Sequence, residues 1–513
     1  MRWFNIAGPC QSDIHYMLPP IARLPKVDRL IAQRSYFVMH APRQMGKTTA
    51  MLTLAQQLTA SGKYTAILLS AETGASKPNL DKAEEAILVS WTGSIQAWLP
   101  AELHPDWSKL PIGSRISAAL QQWAETSPRP LVVFLDEIDA LEDENLIGVL
   151  RQLRDGSSRR PNHFPQSLAL IGLRDVRDYK VASGGSDRLN TSSPFNIKVV
   201  SLTIKNFTLE EITALYQQHT DDTGQIFTPE AIDHAFYLTR GQPWLVNALA
   251  KEIVEELVTD ESQPIEVHHM NQAKEILIQR RDTHIDSLAE RLREKRVKAI
   301  LEPMLSGQEL GEVPNDDVEF LLDLGLCCID ETGNLAIANP IYREVLPRTL
   351  AFTTTITLGQ IFPTWLTATG ELNKLALLDA FLLFWRQHGQ PLLRNVSYHE
   401  IAPHIVLMAF LHRVVNGKGS MEREYAIGSD RMDLCLRYGA VTLGIELKVW
   451  REGRPDPLIR ALEQIDRYLM GLSLNSGWLV IFDQRSGIGP IADRTTVEQA
   501  ETINGRQITV IRG

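Results

Sequence analysis

Ala41-Pro42-Arg43-Gln44-Met45-Gly46-Lys47-Thr48-Thr49 follows an apolar run, Tyr36-Phe37-Val38-Met39-His40, that predicts a buried strand. It precedes Met51-Leu52-Thr53-Leu54-Ala55, which continues with helical periodicity. Strand, loop, Gly-Lys-Thr and helix form the layout of a phosphate-binding loop. Backbone N–H groups at a helix start cradle phosphate oxygens, helped by the helix dipole. In that reading Gly46 lets the backbone approach closely and Lys47 brings positive charge to the phosphates. The Thr48 hydroxyl is placed to ligate Mg²⁺, and Gln44 and Thr49 complete the cradle. Ala41 stands where the usual pattern has glycine. Alanine there is disfavoured if the position needs a positive φ.

A second stretch supports the first. Leu131-Val132-Val133-Phe134-Leu135-Asp136-Glu137 is an apolar run ending in two acids, and its composition suits a central parallel strand. Buried strands have little structural reason to end in paired carboxylates unless a cation lies nearby. Asp136 is placed to hold Mg²⁺ and Glu137 to polarise an attacking water. The pair predicts turnover of ATP as well as binding.

Composition bounds the rest. A chain of 513 residues predicts about three domains, and 44% hydrophobic with 22% charged residues is globular. The net charge of −10 excludes a generally cationic surface, so any nucleic-acid path is a local basic groove, with Arg431, Arg451 and Arg454 as candidates. Cys10, Cys327, Cys328 and Cys435 show no metal-ligand spacing, which fits a reducing, cytoplasmic setting. No apolar h-region opens the chain, and the apolar stretch at 375–385 is too short to span a membrane, so no membrane partner is expected.

Taken in order, 1–32 is Pro-rich and is expected to pack over the nucleotide base. Strands are expected at 64–70, 167–173 and 195–199, with helices between them; Trp91, Trp98 and Trp107 read as packing groups. Alternating strands and helices imply a parallel, helix-covered sheet. Arg174-Asp175 at the end of one strand either senses the γ-phosphate or forms a solvated turn; Arg174 and Arg177 are also candidates for an arginine acting in trans in a homo-oligomer. Thr208-Leu209-Glu210-Glu211 reads as a capping box. Thr239-Arg240-Gly241-Gln242-Pro243 then joins two helical stretches.

This Gly-x-Pro segment is similar to the lid signature of the signal-transducing and archaeal branch of AAA-like ATPases, and 36–258 as a whole resembles that branch. Beyond it, 280–298 reads as a charged helix and 316–326 as an amphipathic one. A hairpin around Glu331-Thr332-Gly333-Asn334 follows. Helices followed by a two-stranded wing resemble a winged-helix module. Its acidic residues Asp316, Asp317, Glu319 and Asp323 argue against major-groove reading and for protein docking or a hinge.

The C-terminal part carries a second constellation. An amphipathic helix is expected at 398–415, followed by two strands that read as a hairpin. Asp433 begins one strand. Glu446 and Lys448, two apart, share a face of the other. Two carboxylates and a lysine across adjacent strands suit a Mg²⁺-dependent phosphodiesterase, with Asp433 and Glu446 as metal ligands. The order of helix, Asp strand, Glu-x-Lys strand and Gln464-x-x-x-Tyr468 helix resembles the PD-(D/E)XK nuclease superfamily over 398–482. Met432 stands where the family name has proline, and Glu400 matches an extra acidic position of some members.

The resemblances imply an α/β multidomain chain with five parts. These are a P-loop parallel-sheet ATPase core (1–205), a helical lid (206–278) and a winged-helix module (279–350), then a connector (351–390) and an α/β/α restriction-endonuclease-like domain (391–513). They imply ATP and Mg²⁺ as cofactors and nucleic acid as partner, DNA ahead of RNA. The expected function is a nuclease gated by nucleotide state, linked by analogy to defence or mobile-element control. The alternative is a nucleotide-dependent assembly switch whose C-terminal domain binds nucleic acid or a partner without cleaving.

Overall fold

The computed structural model describes residues 2–107, 109–173, 198–280, 288, 291–305, 310–357, 363–395, 402–415, 419–427 and 430–513. They form two compact units. One comprises Met1–His284 and Pro314–Pro340, the other Ile285–Val313 and Ile341–Gly513.

The first unit is built on a parallel five-stranded sheet. Its strands are β1 (Tyr36–His40), β2 (Thr65–Ser70), β3 (Leu131–Asp136), β4 (Ser167–Gly172) and β5 (Lys198–Thr203), in the order β2-β3-β4-β1-β5. Period-two alternation splits each strand between two cores. Tyr36, Val38, Val133 and Leu135 join the core made with helices Leu80–Trp98, Arg115–Thr126 and Asp143–Gly156. Phe37, Met39, Val132 and Phe134 join the opposite core, which helices Val27–Ala32 and Lys47–Ala60 cover. Helices on both faces explain why the strands read as continuous apolar runs. Trp91 and Trp107 pack as expected, with Nε1 donating to the Ser70 and Ala119 carbonyls, but Trp98 is half exposed.

Helices Leu209–Thr223, Pro229–Thr239, Pro243–Glu252 and Val267–Arg280 follow the sheet. The capping box forms: Thr208 Oγ1 accepts from Glu211 N–H, and the Glu211 carboxylate accepts from Thr208 N–H. The same unit holds helix Asn315–Asp323 and the hairpin β6 (Cys327–Ile329) and β7 (Leu335–Ile337). The chain turns away from that helix at Gly325, φ 71°, where an added Cβ would meet Pro42 of the phosphate loop at 2.8 Å.

The second unit carries a mixed six-stranded sheet. Strands β8 (Gly419–Ile427), β9 (Asp430–Tyr438) and β10 (Val441–Trp450) form an antiparallel meander. Helix Leu458–Gly471 then crosses over to β11 (Ser476–Asp483), which lies parallel to β10. Strands β12 (Thr496–Glu501) and β13 (Gln507–Arg512) complete the order β12-β13-β11-β10-β9-β8. One expectation is corrected. The stretch expected as an amphipathic helix at 398–415 is described over Ala402–Val415 and is buried almost all round, so its sequence has no polar face to read. The stretch read as a connector ending in a helix carries that helix at Lys374–Asn395, and helix Pro340–Thr357 runs into its start. No described helix is long and apolar enough to cross a membrane. Residues 281–287 and 289–290 of the charged helix expected at 280–298 lie outside the described residues, as do Arg174, Arg177 and Glu400, and the side chain of Arg431.

Candidate nucleotide and cation sites

Loops at the carboxyl ends of parallel strands make the binding crevice of such a sheet. The phosphate loop leaves β1 and the acidic pair ends β3, so both face the same edge. Gly46, φ 86°, has open space where a Cβ would stand, and it caps the helix that starts at Lys47. Gln44 is also left-handed, at φ 59°. Ala41 is not among the positive-φ residues, which removes the objection to alanine there. It is buried in the core beneath the loop, where a small side chain suffices.

Lys47 Nζ donates to the loop's own carbonyls, Ala41 at 2.7 Å and Pro42 at 2.9 Å. Burial holds its pKa below the ordinary lysine value, and the charges of Asp136, Asp139 and Glu137 oppose that shift. Thr48 Oγ1 donates to Asp136 Oδ2 at 2.8 Å, so the hydroxyl and carboxylate expected to share a cation already touch. Asp136 Oδ1 accepts from Glu137 N–H at 2.9 Å. Burial raises both acids, and Glu137 rises further because Asp136 and Asp139 are close. Glu137 itself sits at φ 55°, a strained backbone of the kind held at functional sites. A hydroxyl–carboxylate pair beside an open loop of N–H groups and a lysine fits a triphosphate with its divalent cation.

The loop opens into a cleft of about 470 Å³, within the usual range for small-molecule sites. Its lining includes Gly46, Lys47, Thr48, Thr49 and Glu137, and also 5–6, 8–10 and 16–18 from the N-terminal segment and Phe207, Pro243, Trp244 and Asn247 from the helical part. The N-terminal segment is thus part of this cleft. It is fixed there because Cys10 N–H donates to Thr49 Oγ1 and Trp244 Nε1 donates to the Ile6 carbonyl. Phe4 and Tyr16 are buried against Tyr216, His219 and Phe227. Arg240, left-handed at φ 48°, places its guanidinium over the Tyr237 ring, and it does not line this cleft.

In the second unit the register pairs Ile445 with Leu434, so the next step along the antiparallel ladder sets Glu446 beside Asp433 on one face. Asp433 Oδ2 accepts from Leu447 N–H at 2.8 Å. Glu446 is 0% exposed; its Oε1 accepts from Lys448 Nζ at 2.6 Å, while its Oε2 is buried and has no hydrogen-bond partner. Burial, then the nearby Asp433 charge, pushes the Glu446 carboxyl well above the usual carboxylate range, and Lys448 only partly opposes this. Gln464 donates to the Tyr468 hydroxyl at 2.5 Å, and burial, with the charges of Glu446 and Asp433 added to it, raises that phenol. The structure therefore brings Asp433, Glu446, Lys448 and Tyr468 together, with Gln464 joined through Tyr468. An orphaned acceptor on a buried carboxylate beside a second carboxylate fits a divalent cation. Among the described residues the acids that meet here are two, Asp433 and Glu446, and no cluster of three or more His, Cys, Asp or Glu is found.

A parallel sheet, a glycine-lysine-threonine loop and an acid-ended neighbouring strand define a P-loop ATPase domain. Residues 16–342 match the family model for the AAA-like domain, and the chain belongs to that family. Among solved structures it is similar to the Walker-type ATPase PabY2304 of Pyrococcus abyssi, at 13% identity over 67% of this chain and 99% of that one, TM-score 0.46. It is also similar to the Thermotoga maritima RuvB Holliday junction branch migration motor, at 15% identity over 62% and 90%, TM-score 0.34. A third is Cdc6p from Pyrobaculum aerophilum, at 12% identity over 65% and 93%, TM-score 0.37. No curated protein matches the chain.

Proposed function

We propose that the chain is an ATP hydrolase whose nucleotide state gates a Mg²⁺-dependent nuclease in its second unit, acting on nucleic acid, DNA ahead of RNA. The observation that carries the nuclease reading is the buried, unpartnered Glu446 Oε2 beside Asp433 and Lys448. A structural ion pair has no use for that free oxygen; a cation does. The mixed sheet with a helix crossing from β10 to β11 supports a restriction-endonuclease-like domain. The helices after β5 act as the lid of the ATPase, and the hairpin segment as a winged-helix docking element.

In the first site Lys47 exchanges its two loop carbonyls for phosphate oxygens, and Glu137 orients the attacking water. In the second, Asp433 and Glu446 would hold the cation, and Lys448 would offer positive charge to the scissile phosphate. A divalent cation, when bound, supplies charge stabilisation at either centre. Homo-oligomerisation, a cytoplasmic setting and a role in defence or mobile-element control belong to the same proposal.

The test incubates full-length protein with Mg²⁺ and labelled single- and double-stranded DNA and RNA, with and without ATP, beside a Glu446→Ala, Lys448→Ala variant. Cleavage by the wild type and not by the variant is expected, and the ATP lanes give the sign of the coupling. Intact ATP hydrolysis with no cleavage of any substrate would sink the nuclease and leave the assembly switch.

A further inference from the structure

The phosphate loop accounts for one end of the nucleotide cleft. The other end is made by the N-terminal segment and the Pro243–Glu252 helix, and its walls include Ile6, Leu18, Phe207, Leu215, Pro243 and Trp244. These apolar side chains suit a flat aromatic base better than a hydroxyl-rich ribose. Polar groups at this end are mostly occupied. Asn5 Nδ2 donates to the Gly8 carbonyl and Asn5 Oδ1 accepts from Ala7 N–H. The Ile6 carbonyl accepts from Trp244 Nε1.

Asn247 differs. It lines the cleft and is 8% exposed, and its Oδ1 is buried with no hydrogen-bond partner. The orientation of its amide is fixed: Nδ2 donates to the Pro243 carbonyl at 2.8 Å, a group that only accepts, so the oxygen must be the atom left over. A buried acceptor without a donor is costly, and native structures rarely keep one without reason. A donor brought in by the ligand would satisfy it.

We infer that Asn247 is the base-reading residue of the nucleotide site, its Oδ1 accepting from the exocyclic amino group at C6 of adenine. The inference rests on the nucleotide-binding reading above and adds the origin of base choice. A 6-oxo purine, guanine or hypoxanthine, presents a carbonyl oxygen at the same place. Two acceptors would then face each other, and the Asn247 oxygen would stay unpaired. Such a mismatch costs about tenfold in affinity.

The test uses the full-length protein and displacement of a ribose-labelled fluorescent ATP by ATP, ITP, N6,N6-dimethyl-ATP and inorganic tripolyphosphate. ITP replaces the 6-amino group of ATP by a carbonyl oxygen and carries a proton at N1, the dimethyl analogue removes the 6-amino donor and leaves N1 unprotonated, and tripolyphosphate reports the phosphate loop alone. The wild type should bind ATP about tenfold tighter than ITP or the dimethyl analogue. Asn247→Ala should weaken ATP by about that factor and leave ITP and tripolyphosphate unchanged, collapsing the ratio. Equal wild-type affinity for ATP and ITP overturns the assignment, whether or not the variants fold. So does an Asn247→Ala protein that loses ATP and ITP equally, which would place the contact on the ribose. Wild-type protein that binds neither labelled ATP nor tripolyphosphate would instead remove the nucleotide reading itself, and this inference with it.

Discussion

Lys47 and Glu446 are both ionisable groups held where charge is disfavoured, and a bound ligand would relieve the cost at each. Lys47 meanwhile leans on two backbone carbonyls. Glu446 has only half of its carboxylate satisfied, and this gives a pH signature. Its pKa in the folded protein is pushed up to about 8 from an ordinary 4.5. A carboxyl raised on folding contributes its stability below the ordinary value, and that contribution is lost as pH rises through the folded value. In EDTA the wild type should therefore lose thermal stability between about pH 5 and pH 8 more steeply than Glu446→Gln. Each kcal/mol recovered corresponds to about 2–4 °C in a domain of this size. Mg²⁺ at pH 8 should raise the wild-type Tm and leave the Gln variant unmoved, because only the carboxylate gains a partner. Superimposable Tm–pH curves for the two proteins would show that burial does not set this group's charge. The residues themselves were legible from sequence, since Asp433, Glu446 and Lys448 lie at the spacing that puts them on one face. The unpartnered oxygens of Glu446 and Asn247 were not, because satisfaction of a polar atom depends on neighbours distant in the chain.

Elements were legible where one periodicity dominated. The β1 and β3 strands, the phosphate-loop helix and the capping box at Thr208 follow from local pattern alone. Strands β12 and β13 were missed: β12 is short and mostly exposed, and it is stabilised by its pairing with β13 and not by its own composition. The N-terminal segment was placed by position only; its anchoring rings, Phe4 and Tyr16, meet partners about two hundred residues away. The turn at Arg240-Gly241 shows how tightly one joint is specified. Gly241 has φ 75°, and a Cβ there would stand 1.9 Å from the Phe207 carbonyl oxygen. The backbone pair is also hydrogen-bonded, Phe207 N–H donating to the Gly241 carbonyl at 2.7 Å. Gly333, in the β6–β7 turn, has φ 86° but open space around it. Gly333→Ala should thus cost only the backbone strain, about 1–2 kcal/mol. Gly241→Ala should cost clearly more, because the joint between β5 and the helices that wall the cleft has to open. Equal urea midpoints for the two variants would show that the close approach is not a constraint.

At the scale of the whole chain, the path between the units matters more than their number. The chain runs from the first unit into the second at 285, returns at 314 and leaves again at 341. The returning segment is not idle: Gly325 packs on Pro42 of the phosphate loop, and Asp323 lies 3.7 Å from His40 at the end of β1. Sequence reading placed the boundaries of this region at 279 and 350 from its helix-and-hairpin pattern. Pattern reports local structure, whereas membership of a unit is decided by packing against residues far away in sequence. Any change at the phosphate loop therefore has a covalent route to the second unit at both ends of the returning segment. If nucleotide state gates the second site by this route, Lys47→Ala should do two things at once. It should weaken ATP binding by about ten- to a hundredfold, the usual worth of a charge-assisted contact. It should also hold cleavage at the level seen without ATP, whichever sign the coupling has, even with ATP present. The variant removes no residue of the second site, so cleavage without ATP should match wild type. Cleavage that still responds to ATP in this variant, at concentrations where binding is lost, would separate the two sites and make them independent activities on one chain.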